Sequence, residues 1–347
     1  MLILLLKLFT LPQIYFMRKI SFCFLFLAKF ISVNAQDSTY AEKLGFPKNA
    51  RVLILHMDDA GMSYSSDMGI EKVFNKGIAN SISVMMPCPW VPQIVRYIKE
   101  HPGIDAGLHF TLTSEWKDYR WSPLAGAAAV PGLTDSTGSL WADVADVVKH
   151  ASAEEVDKEI RAQLSRAERM GFHPTHLDSH MGTLFASPAF MEKYIQLGIE
   201  KQIPVMFPGG MDVAIQDEMK LPNGFIRQMQ QEGKLIWNAG LPVLDDLHNY
   251  SYDWKVPAGM GKDDGQLRKW RVALYEKTLL KLKPGVTMVI MHCTDPSPVF
   301  LKITDSGDLR KADMLAMLDP EFKKFLHDNG FILTTWRELM QRRQKVK

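Results

Sequence analysis

Short apolar runs alternate along the chain with longer stretches in which apolar residues recur at helical spacing. Seven runs read as strands: 52–56, 81–85, 106–110, 176–178, 205–207, 287–291 and 331–335. The stretch AEEVDKEIRAQLSRAERMG, 153–171, sets Val156, Ile160, Leu164 and Ala167 on one helical face, and Gly171 suits its C-terminal stop. The stretch SPAFMEKYIQLGIEK, from Ser187, opens with a capping residue and a proline. Strands alternating with helices predict βα units and a parallel α/β sheet, and seven strands suggest a closed or nearly closed barrel. Two segments read as long loop excursions from it: 116–147, rich in Trp, Gly, Ala and Pro, and 211–265, which carries HNYSYDW and GKDDG. No internal repeat or low-complexity linker interrupts the pattern, so a single domain is expected over 36–347.

The N-terminal region, 1–35, follows a different rule. MRKISFCFLFLAKFISVNAQDS places a basic pair, Arg18 and Lys19, before an apolar stretch and small residues, Val33 and Ala35, before a polar start. That is the layout of a secretory signal cleaved after Ala35, and it predicts export to a periplasmic or extracellular space. The sixteen residues before it are also apolar, so translation from Met1 or from Met17 fits. The competing reading is an uncleaved membrane anchor, but Lys29 leaves the run shorter than the ~20 residues a spanning helix needs.

Composition narrows the class. Of 347 residues, 46% are hydrophobic and 10% aromatic, which suits a globular protein with a sizeable core. Forty-one basic residues against 39 acidic ones leave a net charge of +2, so no global field recruits nucleic acid or acidic lipid. Loss of the signal would remove Cys23 and leave Cys88 and Cys293, too few for a disulfide framework or a thiolate metal site.

The polar residues fall where strands end. Asp58 and Asp59 follow the first strand, His109 ends the third, and His176, Asp178 and His180 lie on or just beyond the fourth. His292 closes the sixth. In a parallel barrel all C-terminal strand ends share one face, so residues scattered in sequence converge there. Two adjacent carboxylates would repel each other unless a cation neutralised one. A carboxylate with two neutral imidazoles makes a three-ligand set with open positions, and a second carboxylate can serve as base to a water. The chemistry that wants this set is metal-assisted hydrolysis.

Four motifs, HMDDAGMSYSSDMGI, GLHFTLT, PTHLDSH and MHCTDPS, resemble in this order the signatures of the YdjC-like carbohydrate deacetylases, distant relatives of the polysaccharide deacetylases. The resemblance covers roughly 51–338. It implies a distorted (β/α) barrel that removes N-acetyl groups from amino sugars such as chitooligosaccharides. It further implies Asp58 as base, Asp59, His109 and His180 as metal ligands, and His292 as proton donor. The spacing alone leaves His176 and His180 both open as ligand; the resemblance selects His180, with Asp178 placed to orient a ligand. It implies one divalent ion, usually magnesium, although an Asp-His-His set also suits zinc. This chain departs from the family pattern after DSH, where MGTLF replaces further histidines, and after His292, where Cys293 replaces a proline; both bear on the substrate.

Other polar residues receive plainer readings. His56 is taken as packing, His248 as loop surface or a substrate contact, Asp263–Asp264 as a solvated turn and Cys88 as part of a rigid turn. Trp90, Trp116, Trp121, Tyr250, Tyr252 and Trp254 can stack sugar rings or cover a core edge. The alternatives are a hydrolase of another amide or ester, a binding barrel without turnover, and a glycosidase. The last is disfavoured because adjacent strand residues point to opposite sides and because the histidines would go unused.

Overall fold

The structure is a computed structural model that describes residues 38–346. The signal-sequence reading, 1–35, lies outside them. Seven strands make one parallel sheet: β1 (Arg51–Ala60), β2 (Ser81–Val84), β3 (Asp105–Phe110), β4 (Leu177–Ser179), β5 (Asp246–His248), β6 (Gly285–Met291) and β7 (Phe331–Leu333). Their spatial order is β4-β3-β2-β1-β6-β5, with β7 also on β1. The ten-residue β1 keeps two partners on one edge: 51–53 register with β7, and 56–60 with β2. Its other edge pairs with β6.

The sheet curls into the expected distorted (β/α) barrel, but one expected strand is not regular. Segment 205–207 makes only isolated bridges, Leu177 to Val205 and Pro208 to Leu244. The Met206 N–H donates to the Leu177 carbonyl (2.7 Å) and the Leu244 N–H to that of Phe207 (3.1 Å), so the segment links β4 round toward β5. Pro204 and Pro208 flank it and lack the N–H a ladder requires. The strand missing from the sequence reading, β5, sits inside the expected excursion 211–265. Its first residue, Asp246, follows Asp245, and three residues offer no apolar run to detect.

Helices between the strands obey local rules. Helix Ala153–Arg169 starts with a capping box, Ser152 and Glu155, and the chain leaves it through Gly171 at φ 72°. Helix Pro188–Lys201 begins with proline as expected, although the Ser187 side chain makes no capping bond. Asp263 is not a free turn residue: it accepts the Gln266 N–H and caps Asp264–Leu279. Leu53, Leu55 and Met57 of β1 pack with the helix residues Ile70 and Val73. Their alternates Val52 and Ile54 join Val286, Met288 and Ile290 of β6, Met206, Leu244 and Leu247 in a second core that fills the barrel. The same alternation carried upward along β1 and β6 turns His56, Asp58 and His292 inward, above that apolar floor. Among the described residues, no helix is long and apolar enough to cross a membrane.

Candidate metal centre and active site

Alternation alone would send Asp58 and Asp59 to opposite sides. The register of β1 against β2 shifts between Met57 and Ala60, and Asp59 adopts φ 65°, a left-handed conformation. For a non-glycine residue this costs about 1–3 kcal/mol and is held by surrounding structure. The twist turns both acids to one site: Asp59 Oδ1 lies 3.5 Å, and Asp58 Oδ2 3.9 Å, from the same nitrogen, His109 Nε2. The opposite-sides argument against a glycosidase therefore does not hold.

Asp59 Oδ1, His109 Nε2 and His180 Nδ1 form one cluster, the last 3.4 Å from Asp59 Oδ1. Each imidazole is aimed by an acid at its far nitrogen. His109 Nδ1 lies 2.6 Å from Asp178 Oδ1, and His180 Nε2 lies 3.1 Å from Glu115 Oε1. These carboxylate–histidine pairs fix ring orientation and leave the opposite nitrogens free to face one another. Asp59 Oδ1 and His109 Nε2 are buried without a hydrogen-bond partner. Such orphans are costly unless something meets them, and a carboxylate with two imidazoles is a donor set for a divalent cation. The residues fit a metal ion.

His176 does not belong to this set. Its ring stacks on Trp336 with centroids 5.3 Å apart, and Nδ1 meets Thr175 Oγ1 at 3.0 Å. Gly107 on β3 makes room for it, since a Cβ there would meet the ring at 2.5 Å. Of the two, it is His180 that clusters with Asp59 and His109. His180 begins a tight turn, with Met181 at φ 51° and Gly182 at φ 63°, closed by Thr183 Oγ1 donating to the His180 carbonyl. This is the MGTLF segment that departs from the family pattern, and it leaves Met181, next to His180, exposed.

His292 stands across the cluster, with Nε2 3.8 Å from Asp59 Oδ2. Its backbone N–H donates to Asp313 Oδ2, and the Tyr252 ring meets it edge-on at 5.1 Å. Helix Tyr64–Lys76 braces the same strand end: a Cβ on Gly69 would strike the Thr294 backbone at 2.6 Å. Burial and the nearby Arg310 guanidinium lower the His292 pKa, so the ring rests neutral.

Two contributors, Arg310 and Glu115, carried no readable signal, and a third, Tyr252, is expected from the sequence only as a sugar-stacking or core-covering aromatic. Arg310, on helix Gly307–Met317, places Nη1 2.6 Å from Asp59 Oδ2. Against the burial that would raise the Asp59 carboxyl, this guanidinium and the histidines hold it well below the usual range. Glu115, six residues beyond His109, supports His180. Tyr252 is half exposed, yet its hydroxyl reaches Asp58 Oδ2 at 3.4 Å. His56, expected as packing, is instead a fully buried polar hub 3.1 Å from Asp58 Oδ1 and 3.0 Å from Asp178 Oδ2. His248, expected at a loop surface, is buried on β5 with Nε2 2.8 Å from Thr278 Oγ1, so neither surface nor substrate reading applies. Cys88 and Cys293 are buried and unpaired, and burial pushes both thiols up, away from nucleophilic use.

Comparison with known proteins supplies the context. A family model described as YdjC-like protein matches residues 52–328. A carbohydrate deacetylase of Thermus thermophilus is 27% identical over 300 residues, 86% of this chain and 97% of that protein. A chitooligosaccharide deacetylase of Yersinia enterocolitica is 30% identical over 133 residues, 38% of this chain and 49% of that protein. Among solved structures, a protein from Enterococcus faecalis V583 described as a cellobiose-phosphate cleavage protein aligns with TM-score 0.66 and 16% identity. The alignment covers 84% of this chain and 99% of that one. It is a likeness of fold.

Proposed function

The chain belongs to the YdjC-like family, and on that premise we propose that it is a metal-dependent carbohydrate deacetylase that hydrolyses N-acetyl groups of amino-sugar oligosaccharides. The names of the relatives support the substrate class. The observation that carries the reading is the convergence of Asp59, His109 and His180, two of whose facing atoms are buried orphans, beside an acid and a histidine that are not needed as ligands.

Asp59 Oδ1, His109 Nε2 and His180 Nδ1 would hold a divalent cation, magnesium by family likeness or zinc by donor type. The chemistry such a cation supplies when bound is Lewis acidity, toward the acyl oxygen and toward water. Asp58 has the geometry of a general base. One oxygen is occupied by His56, and the other, Oδ2, lies 3.9 Å from His109 Nε2 beside the Tyr252 hydroxyl, where it can take the proton of the attacking water. His292, on the far side of Asp59, delivers a proton to the departing amine nitrogen as the C–N bond breaks. Because it rests neutral, it must first acquire that proton, and the proton that Asp58 takes from the water balances the one the amine receives. Tyr252 and Trp116 flank this space. Tyr252 touches both the base and the acid, and Trp116 carries Arg310 over its ring. An amino sugar presented between them would meet aromatic faces and a polar floor.

The test is product analysis on N-acetylated chitooligosaccharides with metal-loaded protein. Acetate release without new reducing ends supports the reading; new reducing ends without acetate point to a glycosidase, and neither product points to binding alone. Elemental analysis of protein prepared without chelator identifies the metal. Export accompanies this reading, resting on the layout of 17–38. N-terminal sequencing of protein from the producing cell should start near Gln36, and retention of Met1 or Met17 would instead favour an anchor.

A further inference from the structure

Beneath Asp58, the inward face of β1 carries one more polar residue, His56, fully buried at the height where the apolar floor gives way to the site. Its neighbours determine its protons. The Ser81 hydroxyl donates to Asp105 Oδ2 at 2.8 Å, so its oxygen can only accept at its 2.9 Å contact with His56 Nδ1. Nδ1 therefore carries hydrogen. On the other side, Nε2 lies 3.0 Å from Ser83 Oγ, 3.1 Å from Asp58 Oδ1 and 3.0 Å from Asp178 Oδ2. A bare lone pair there would face two carboxylate oxygens, whereas an N–H would face attraction from both. Ser83 can accept that N–H and pass its own hydrogen toward Asp58 Oδ1 at 3.4 Å. His109 Nδ1, 3.2 Å from Ser83, is already committed to Asp178 at 2.6 Å. Each His56 nitrogen thus donates to a serine that donates to an acid.

We propose that His56 is a positioning residue of the deacetylation: a buried imidazolium that clamps Asp58, the base, and Asp178, the support of the ligand His109, in one fixed arrangement. It rests on the roles given to Asp58 and Asp178 above. Removing this buried cation has a specific consequence, because it takes one partner from each of two buried acids, leaving Asp178 with His109 and Asp58 with Ser83 and Tyr252. One loss is read in turnover and the other in metal affinity. His176, edge-on at 5.0 Å, does not supply this charge: it is buried and held neutral, its pKa lowered to about 4 first by burial and then by His56 itself, while His109, 2.6 Å from Asp178, must give up its own charge to ligate a metal. His56 is raised to about 9, burial being outweighed by Asp178 and Asp58.

The test compares His56→Met, which fills the space without a donor, with His56→Gln, whose amide N–H can still reach Ser83 and Asp58. Thermal unfolding, metal affinity, and kcat and KM for acetate release are measured on each. His56→Met should lower kcat about 10²-fold with KM within about threefold, and weaken metal affinity about tenfold. His56→Gln should recover at least tenfold of the lost kcat. The wild-type protein offers a reading that needs no variant: histidine ¹⁵N spectra at neutral pH should show both His56 nitrogens protonated. A neutral His56 in those spectra, or a folded His56→Met with unchanged kcat and metal affinity, overturns the proposal. Asp58→Asn with full activity overturns the base assignment instead, and leaves the ¹⁵N result to judge His56.

Discussion

Arg310 Nη1 lies 2.6 Å from Asp59 Oδ2, the carboxylate oxygen other than the one nearest His109 and His180. The guanidinium keeps Asp59 ionised in spite of burial and aims Oδ1 at the imidazoles. An Arg310→Met substitution leaves that oxygen buried with only His292 nearby, at 3.8 Å. Metal affinity or kcat/KM should fall about 10–100-fold, the usual cost of losing a partner that orients a ligand. Chelator competition beside initial rates checks this, and an Arg310→Met protein with wild-type values for both would remove Arg310 from the site.

Metal uptake should release protons. Without a cation, burial would lower His109 and His180, but Asp178 and Asp58 raise the first well above its ordinary value, and Glu115 with Asp59 raises the second to about 9. Each must give up the proton on the nitrogen facing Asp59 before it can ligate. The sign follows: protons compete with metal, so apparent affinity rises with pH up to about 9, by about ten- to a hundredfold per unit for one or two protons displaced. Calorimetry in buffers of different ionisation heat counts those protons. An affinity flat between about pH 6 and 8 would contradict the protonated apo site.

Much of this site was legible because strand ends in a parallel barrel share a face, so Asp58, Asp59, His109, His180 and His292 could be gathered from four separate runs. The alternation rule that found the barrel also misled at Asp59, where a bulge and a positive φ override it. It missed β5 because DLH is too short to show a period, and it overstated 205–207, which prolines keep out of a ladder. Arg310 and Glu115 left no trace, since a charged residue on a surface-patterned helix or at the start of a long loop is ordinary in sequence. His56 was underrated for the opposite reason: a single histidine in an apolar run looks like core until its neighbours on β2 and β4 are known.

Arg271 and Asp313 form a buried pair, Nε to Oδ1 at 2.6 Å, and Asp313 also accepts the Tyr275 hydroxyl and the His292 N–H. Asp313→Ala strands a buried guanidinium and should cost about 3–5 kcal/mol. Burial alone would raise the Asp313 carboxyl, but Arg271 and its hydrogen bonds hold it below the ordinary value. A depressed carboxyl stabilises the fold above its unfolded pKa, about 4, and that contribution is lost as pH falls through the lower folded value. Urea unfolding at neutral pH and near pH 3 should therefore show a smaller acid loss for Asp313→Asn than for the wild type. Equal losses would mean that the pair contributes no pH dependence.

Asp58 and Asp59 should separate cleanly despite being adjacent. The ligating acid must stay an anion, while the other must gain and lose a proton in each turnover. Asp59→Asn removes a charged donor from the cluster, so metal content and acetate release should fall together, with partial recovery at high metal concentration. Asp58→Asn leaves Asp59, His109 and His180 in place, and the asparagine can keep its contact with His56 through its carbonyl oxygen. It should therefore bind metal nearly normally yet lose about 10²–10⁴-fold in kcat, the range ascribed to a general base. His292→Ala should behave like Asp58→Asn, and should be least harmful with substrates whose leaving group needs no proton. The measurements are metal content and acetate-release rate on each purified variant. Loss of metal by Asp58→Asn with retention by Asp59→Asn would reverse the two roles. Full activity in both would leave the bulge that turns these acids together without a catalytic purpose.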